Sequence, residues 1–371
     1  MLSRSIVVQS LRSIRDRFFD TRRQRNEQND VQETSDDVTG PSLDNLSVDM
    51  QFLIMTFLSP QDLCRLGGTS TYWRSMVRDP VLWKYFLLRD MPLWQSVDHL
   101  SVPDVKLTGS AVLDDSQMQF DYMAEYLRIC PACRNQWRHQ PRATFESVTS
   151  FFQSLVPVAE PQFAMFGPGL EQLEISLMTT IMNSPHILPI AGIPQRQIDG
   201  IGSGISFKYK DQHRFNIATL YSTNRTERER ARLEHLSLRS KLFVYQEDSE
   251  SNMPLSLNPM FNQVCQAMNG FIFVANAETE RGVDRGWEEE SAQIRVMLDP
   301  VVGTVSHPIL VLSCVSRETA DRHRIPCVTV AHQLQLISLP NPWMVQDTTA
   351  ETLTGLLDGI DWLLRHSGVK L

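Results

Sequence analysis

The sequence predicts a module of short α-helices followed by an α/β domain built on a mostly parallel sheet. Three observations carry that prediction. Between residues 43 and 92 apolar residues recur at helical spacing, and Ser59-Pro60 and Asp79-Pro80 interrupt them. From Glu160 onward, short continuous apolar runs alternate with helical segments, the pattern of strands covered on both faces. One stretch, Ile205 to Tyr221, departs from that pattern and reads as an antiparallel hairpin at a sheet edge, with the polar turn Lys210-Asp211-Gln212-His213.

The chain has 371 residues, 42% hydrophobic and 21% charged, enough to bury cores in two or three domains. Its net charge of −8 lacks the basic surplus of a nucleic-acid-binding domain. No apolar run approaches the roughly 18 residues of a membrane span. Six scattered cysteines are too few for a disulfide framework in a chain this long, so reduced thiols are expected.

Residues 1–42 read as a disordered tail with a short amphipathic helix. Val7, Leu11, Ile14 and Phe18 share one face and arginines decorate the rest. Such a helix suits partner binding or self-association into a homodimer. Asp16, Asp20 and Glu27 argue against a presequence.

Four helices are predicted in residues 43–92. The first carries Leu46, Met50, Leu53, Ile54, Phe57 and Leu58. Ser59 caps the second, which has Pro60 at its first position and stops at Gly67-Gly68. Trp73, Met76 and Val77 mark the third, and Leu82, Trp83, Phe86 and Leu87 the fourth. About fifty residues of short helices cannot build a large core, and apolar surface left over on such a module belongs to a partner.

This stretch resembles an F-box. The matching positions are Leu46, Asp49, Phe57, Leu58, Pro60, Asp62, Leu63, Leu66, Trp73, Asp79, Leu82 and Trp83. Ser47 stands where the family usually has proline. The resemblance implies binding to the Skp adaptor and, through it, the cullin scaffold. Leu46, Ile54, Phe57, Leu58, Pro60, Asp62, Leu63, Leu66 and Trp83 would face the adaptor or support that face.

Residues 93–159 are broken by prolines and read as a linker of short helices, with aromatic residues at Phe120, Tyr122, Tyr126, Phe145, Phe151 and Phe152 holding the module against the second domain. Within it, Cys130-Pro-Ala-Cys133 comes after a helical segment instead of a strand, so it reads as two ordinary thiols at a helix end. Zinc would need two further ligands, and His139 is the nearest.

In residues 160–371, strands are expected at 163–166, 215–221, 270–276, 309–315 and 327–332, and helices at 170–181, 226–243, 288–298 and 352–365. The order of strand, Gly-Pro-Gly, helix, hairpin and further βα units resembles a small GTPase, a Rossmann-type mixed sheet with flanking helices. The closing segment from Trp343 is similar to that of the Arf-like branch. The chemistry is missing. A phosphate loop needs Gly-x-x-x-x-Gly-Lys-Ser/Thr, with backbone amides cradling phosphate, a lysine on its oxygens and a hydroxyl on magnesium. Gly167-Pro-Gly-Leu-Glu-Gln-Leu-Glu174 lacks the lysine and the hydroxyl and adds carboxylates. Ser313-Cys-Val-Ser-Arg317 stands where a guanine-reading Asn-Lys-x-Asp belongs.

Together the two resemblances imply an F-box receptor whose degenerate GTPase-like domain holds a client for ubiquitylation and proteasomal degradation, in cytoplasm and nucleus. The clients implied are of the telomeric repeat-binding factor or D-type cyclin class, which would tie the chain to telomere maintenance and the cell cycle. No catalytic residue, cofactor, metal, nucleic acid or membrane enters this reading. Client capture by strand addition would use the hairpin (Phe207, Tyr209, Phe215) or a late strand at the opposite edge (Val328, Val330). The alternative is a nucleotide-binding switch protein with a helical appendage.

Overall fold

The computed structural model describes residue 43 and residues 46–103, 120–133, 160–192, 204–210, 213–221, 242–245, 255–278, 286–299, 307–318 and 324–369. The helix expected in residues 1–42 and the aromatic residues at 145, 151 and 152 lie outside them. So does most of the helix expected over 226–243. Two compact units form. One holds the chain up to Pro92 and from Pro103 to Trp137; the other holds Leu93–Val102 and everything from Arg138.

The first unit opens with α1 (Val48–Phe57), α2 (Pro60–Gly67), α3 (Thr71–Val77) and α4 (Pro80–Asp90). Each start has a local cause. Ser59 accepts a hydrogen bond from the Asp62 N–H, Ser70 from Trp73 N–H and Asp79 from Val81 N–H. Proline opens α2 and α4, where the missing N–H costs nothing. At α1 the expected proline is absent, yet Ser47 still adopts the extended cap conformation and its carbonyl receives Gln51 N–H at 3.0 Å. Phe52, Met55, Leu63, Met76, Leu82, Trp83 and Phe86 are buried together. The Trp83 indole N–H donates to Val77 O at 2.6 Å. The Arg89 guanidinium, ion-paired with Asp90, donates to Thr56 O at 2.7 Å and ties α4 to the end of α1.

Helix α5 (Tyr122–Ile129) packs on α4. The Tyr126 ring lies 5.4 Å from Trp83, and its hydroxyl donates to Asp90 at 2.6 Å.

The second unit is built on an eight-stranded sheet. Its strands are β1 (Ser96–Asp98), β2 (Gln162–Phe166), β3 (Ile190–Gly192), β4 (Gly204–Tyr209), β5 (His213–Thr219), β8 (Gly270–Asn276), β9 (Ile309–Val315) and β10 (Trp343–Thr349). β6 (Phe243–Tyr245) and β7 (Leu255–Leu257) form a separate antiparallel pair. The order is β1-β10-β9-β8-β2-β5-β4-β3. Contacts within β5, β2, β8, β9 and β10 are parallel, and β4, β3 and β1 add antiparallel edges. Numbered along the chain, the five parallel strands run 2-1-3-4-5, a doubly wound arrangement whose ligand crevice lies between β2 and β8 at their carboxyl ends. The helices are α6 (Gly169–Gln172), α7 (Leu177–Asn183), α8 (Pro259–Gln266), α9 (Trp287–Met297), α10 (Cys327–Gln333) and α11 (Leu356–His366). β8 and β9 are buried at every position, which explains their unbroken apolar sequences.

The sequence reading needs correcting in four places. Residues 327–332 are not a strand but α10, and Val328 and Val330 are buried on it. Its buried residues, Cys327, Val328, Val330 and Ala331, follow helical spacing, and Pro326 occupies its cap. The strand beside β9 is β10, whose sequence WMVQDTT is too polar in its second half to read as one. Residues 96–98, expected in a helical linker, pair with β10 and cover that edge of the sheet. The helix expected over 170–181 is two, because Leu173 is extended and Glu174 N–H bonds to the Ser316 hydroxyl at 3.1 Å.

Candidate functional site

Helix α1 is apolar on both faces. Its inner face is Val48, Gln51, Phe52 and Met55. Gln51 is buried but satisfied: its amide donates to Leu43 O at 2.9 Å, and its carbonyl accepts the Tyr72 hydroxyl. The outer face carries Met50, Leu53 and Phe57, spaced three and four residues apart, so they line one stripe, and the exposed Leu46 stands just before the helix cap. Met50 is 47% exposed and Phe57 81%. A helix that is core on one side and a line of solvated Leu, Met and Phe on the other leaves apolar surface that none of the described residues buries, the kind of surface that marks an interaction site.

Most of the residues singled out from the sequence stand on or beside that stripe. Leu46 and Phe57 are exposed, and Ile54, Leu58, Pro60 and Leu66 are half-buried around it. Asp62 is exposed and engaged in its own helix cap, where the Ser59 hydroxyl and its ion pair with Arg65 hold its carboxyl below the usual range. Leu63 and Trp83 are fully buried and can only support the face from behind. Met50 and Leu53 belong to the stripe and were not singled out. Their register with Leu46 and Phe57 was the available signal.

The other place where chemistry could sit is the crevice at the carboxyl ends of β2, β8, β9 and β10. Gly167 has φ +120°, and a Cβ there would lie 2.7 Å from Val274 O; a Cβ on Gly169 would lie 2.7 Å from the Val274 side chain. The loop therefore rests directly on β8 and leaves no cradle between. Leu170 and Leu173 turn into the core. Around the loop the chain fills the crevice with its own groups. Asn276 donates to Gln172 at 3.3 Å, Ser316 N–H to Glu278 at 2.9 Å, and Arg317 pairs with Glu351 at 3.0 Å. Arg324 donates to the carbonyls of Ser313 and Thr348 at 3.2 and 3.0 Å. The carboxylates here answer the chain's own cations: Glu174 and Glu351 pair with Arg317, and Glu318 and Asp347 with Arg324. The nucleotide-switch alternative finds no support in this geometry.

An F-box-like family model matches residues 48–89, the four-helix stretch that carries the stripe. The chain is 49% identical to F-box only protein 4 of Bos taurus, over 89% of this chain and 85% of that one. It is 48% identical to the Homo sapiens protein of the same name with the same shares covered, and 48% identical to that of Mus musculus.

The chain belongs to the F-box only protein 4 family.

Among solved structures, the Arl6 BBS3 small GTPase of Trypanosoma brucei with bound GppNp matches over 57% of this chain and 98% of its own, with 13% identity and a TM-score of 0.31. Family membership extends well beyond the F-box helices into the sheet unit, so the crevice packing just described is part of a member's second domain.

The residues expected to hold a client are placed differently from the expectation. Phe207, Tyr209 and Phe215 point into the core, with Phe207 and Phe215 rings 5.8 Å apart. β4 is not an edge, because β3 pairs with it. Val328 and Val330 are buried on α10 and offer no edge at all. The free edge on the hairpin side is β3, where Ile190 is 40% exposed.

Proposed function

We propose that this chain is the client-recognition subunit of a Skp–cullin–F-box ubiquitin ligase, docking on the Skp adaptor through the outer face of α1 and its flanks. The observation that carries this is the stripe Met50, Leu53 and Phe57, with Leu46 just ahead of it, apolar and solvated on a helix whose other face is fully packed. The chain supplies proximity and not chemistry: holding a client lysine near a charged ubiquitin raises its effective concentration, while bond making belongs to the conjugating enzyme. The sheet unit is then the client module, acting in cytoplasm and nucleus. Its client class, telomeric repeat-binding factor or D-type cyclin, rests on the family resemblance. The β3 edge is the surface that suits strand addition.

The test is co-purification of the full chain with the Skp adaptor, comparing wild type with Met50→Ser/Phe57→Ser. Binding that is lost in the variant while its far-UV spectrum and melting stay the same supports the proposal. Equal binding by both proteins would overturn it. A reconstituted ubiquitylation assay with each client class, using Ile190→Lys to obstruct the edge, tests the finer reading. A client modified equally by wild type and variant would move the site elsewhere.

A further inference from the structure

Cys130 and Cys133 form a pair that the adaptor face does not use. Cys130 ends α5: its N–H bonds to Tyr126 O at 2.9 Å. It also begins something. Its backbone is extended (φ −59°, ψ 122°), Pro131 comes next, and residues 131–133 are helical. That is the arrangement of a cap residue with proline at the first helical position. The backbone N–H groups of Ala132 and Cys133 and the Cys133 thiol are donors to the Cys130 sulfur, while the Tyr126 hydroxyl beside it is committed to Asp90. The sequence alone placed these thiols at a helix end; the structure adds a helix start on the same residue. A tight four-residue turn brings its first and last Cα atoms within roughly 7 Å, about the widest Cα separation that a disulfide spans.

We infer that Cys130 and Cys133 are a redox dithiol, oxidised reversibly to an intramolecular disulfide by a hydroperoxide. Cys130 is the attacking sulfur. Its thiolate attacks the distal oxygen of ROOH, the O–O bond breaks to give Cys130–SOH, and the departing alkoxide takes a proton to become ROH. The Cys133 thiol then attacks the sulfenic sulfur, the S–S bond forms, and its proton leaves with the hydroxyl as water. Two thiols lose two electrons and two protons, and ROOH becomes ROH and water.

The division of roles comes from the surroundings. Three donors converge on Cys130 and stabilise its thiolate, holding it down at about 6 despite burial, with the Cys133 thiol the largest influence. Cys133 is pushed far up, first by its bond to Cys130, then by burial, and by the nearby charges of Cys130 and Cys64, so it keeps its proton for the second step. Cys265, Cys314 and Cys327 are buried, and burial raises all three thiols. Cys64 is exposed and also raised by burial of its sulfur. Among the described residues no cluster of three His, Cys, Asp or Glu could hold a metal, and His139 lies outside them.

The experiment treats the reduced full chain with hydrogen peroxide at pH 7, alkylates the remaining thiols under denaturing conditions and maps the peptides. A Cys130–Cys133 disulfide that forms first and is reversed by dithiothreitol is the expected result. Thiolate fraction alone favours Cys130 over an ordinary cysteine by about thirtyfold at pH 7. In Cys133→Ser, a sulfenic acid trapped by a 1,3-dione at residue 130 is expected. In Cys130→Ser, oxidation at Cys133 should fall at least about tenfold. Two outcomes overturn the inference, and the wild-type map alone reveals either. One is a peroxide dose that oxidises Cys64 while both Cys130 and Cys133 stay free. The other is a first disulfide that joins either of them to Cys64.

Discussion

Arg324 Nη1 stands 3.4 Å from Asp347 Oδ1, with both side chains largely buried at the carboxyl ends of β9 and β10. Burial raises the Asp347 carboxyl from 3.8 to about 6, and Arg324 and Ser313 only partly offset it. The folded state therefore holds a proton that the unfolded chain releases. The stability from this group is complete below about pH 4 and lost as pH rises through about 6. Asp347→Asn does not titrate. Its stability relative to wild type should improve by roughly 1.4 kcal/mol between pH 5 and pH 7.5, read from urea midpoints. A flat difference would refute the assignment. Arg324→Ala should cost about 3 kcal/mol at pH 7.5 and less at pH 5, where Asp347 can take a proton instead of standing unpaired.

Leu173 occupies the position where a phosphate loop carries its lysine, and it is fully buried. Leu173→Lys therefore places an ammonium in the core. The expected result is a loss of at least about 3 kcal/mol and no nucleotide binding. Thermal melting of wild type and variant with GDP and magnesium checks this. Saturable stabilisation of either protein would return the nucleotide reading to contention.

How much of this was legible in sequence depended on whether a residue's neighbours were local. Ser59-Pro60, Asp79-Pro80 and the alternation of Leu46 to Phe57 with Phe52 and Met55 are decided within one or two turns, and all four helices formed where expected. β8 and β9 were equally plain, because a strand buried on both faces has to be apolar throughout. β10 was hidden because Gln346, Asp347, Thr348 and Thr349 are polar yet mostly buried, and their partners Gln95 and Arg324 are remote in sequence. The segment at 327–332 offered Val and Thr in a short run, where strand and helix periodicities do not separate. The edge positions of Phe207 and Val328 failed for a related reason. Which strand is outermost depends on β1 and β3, three residues each, too short to signal themselves.

Gly355 sits at φ +80°, capping α11 where β10 turns back, and a Cβ there would lie 2.0 Å from Asp347 O. The atom in the way is backbone, so no side-chain rotation relieves it. Gly355→Ala should lower stability by about 2–4 kcal/mol, combining the left-handed penalty with displacement of the end of β10. Denaturant unfolding measures it. A loss under about 0.5 kcal/mol would mean the turn relaxes easily and does not fix α11.

Phe52 and Phe57 are five residues apart on one helix, 1% and 81% exposed, and they should separate folding from binding. Phe52→Ala removes a core ring and should cost about 3–5 kcal/mol in urea unfolding. Phe57→Ala removes a ring already in water, so its unfolding midpoint should match wild type to within about 0.5 kcal/mol. If the outer stripe docks the Skp adaptor, the same substitution should weaken adaptor binding at least about tenfold, or 1.4 kcal/mol, because a large aromatic at an interface loses its contacts on truncation. Calorimetric titration of adaptor into each variant makes the comparison, with Phe57→Leu expected to retain an intermediate affinity. Full affinity in Phe57→Ala would place the adaptor on another face of the module, and the exposed stripe would need a different partner.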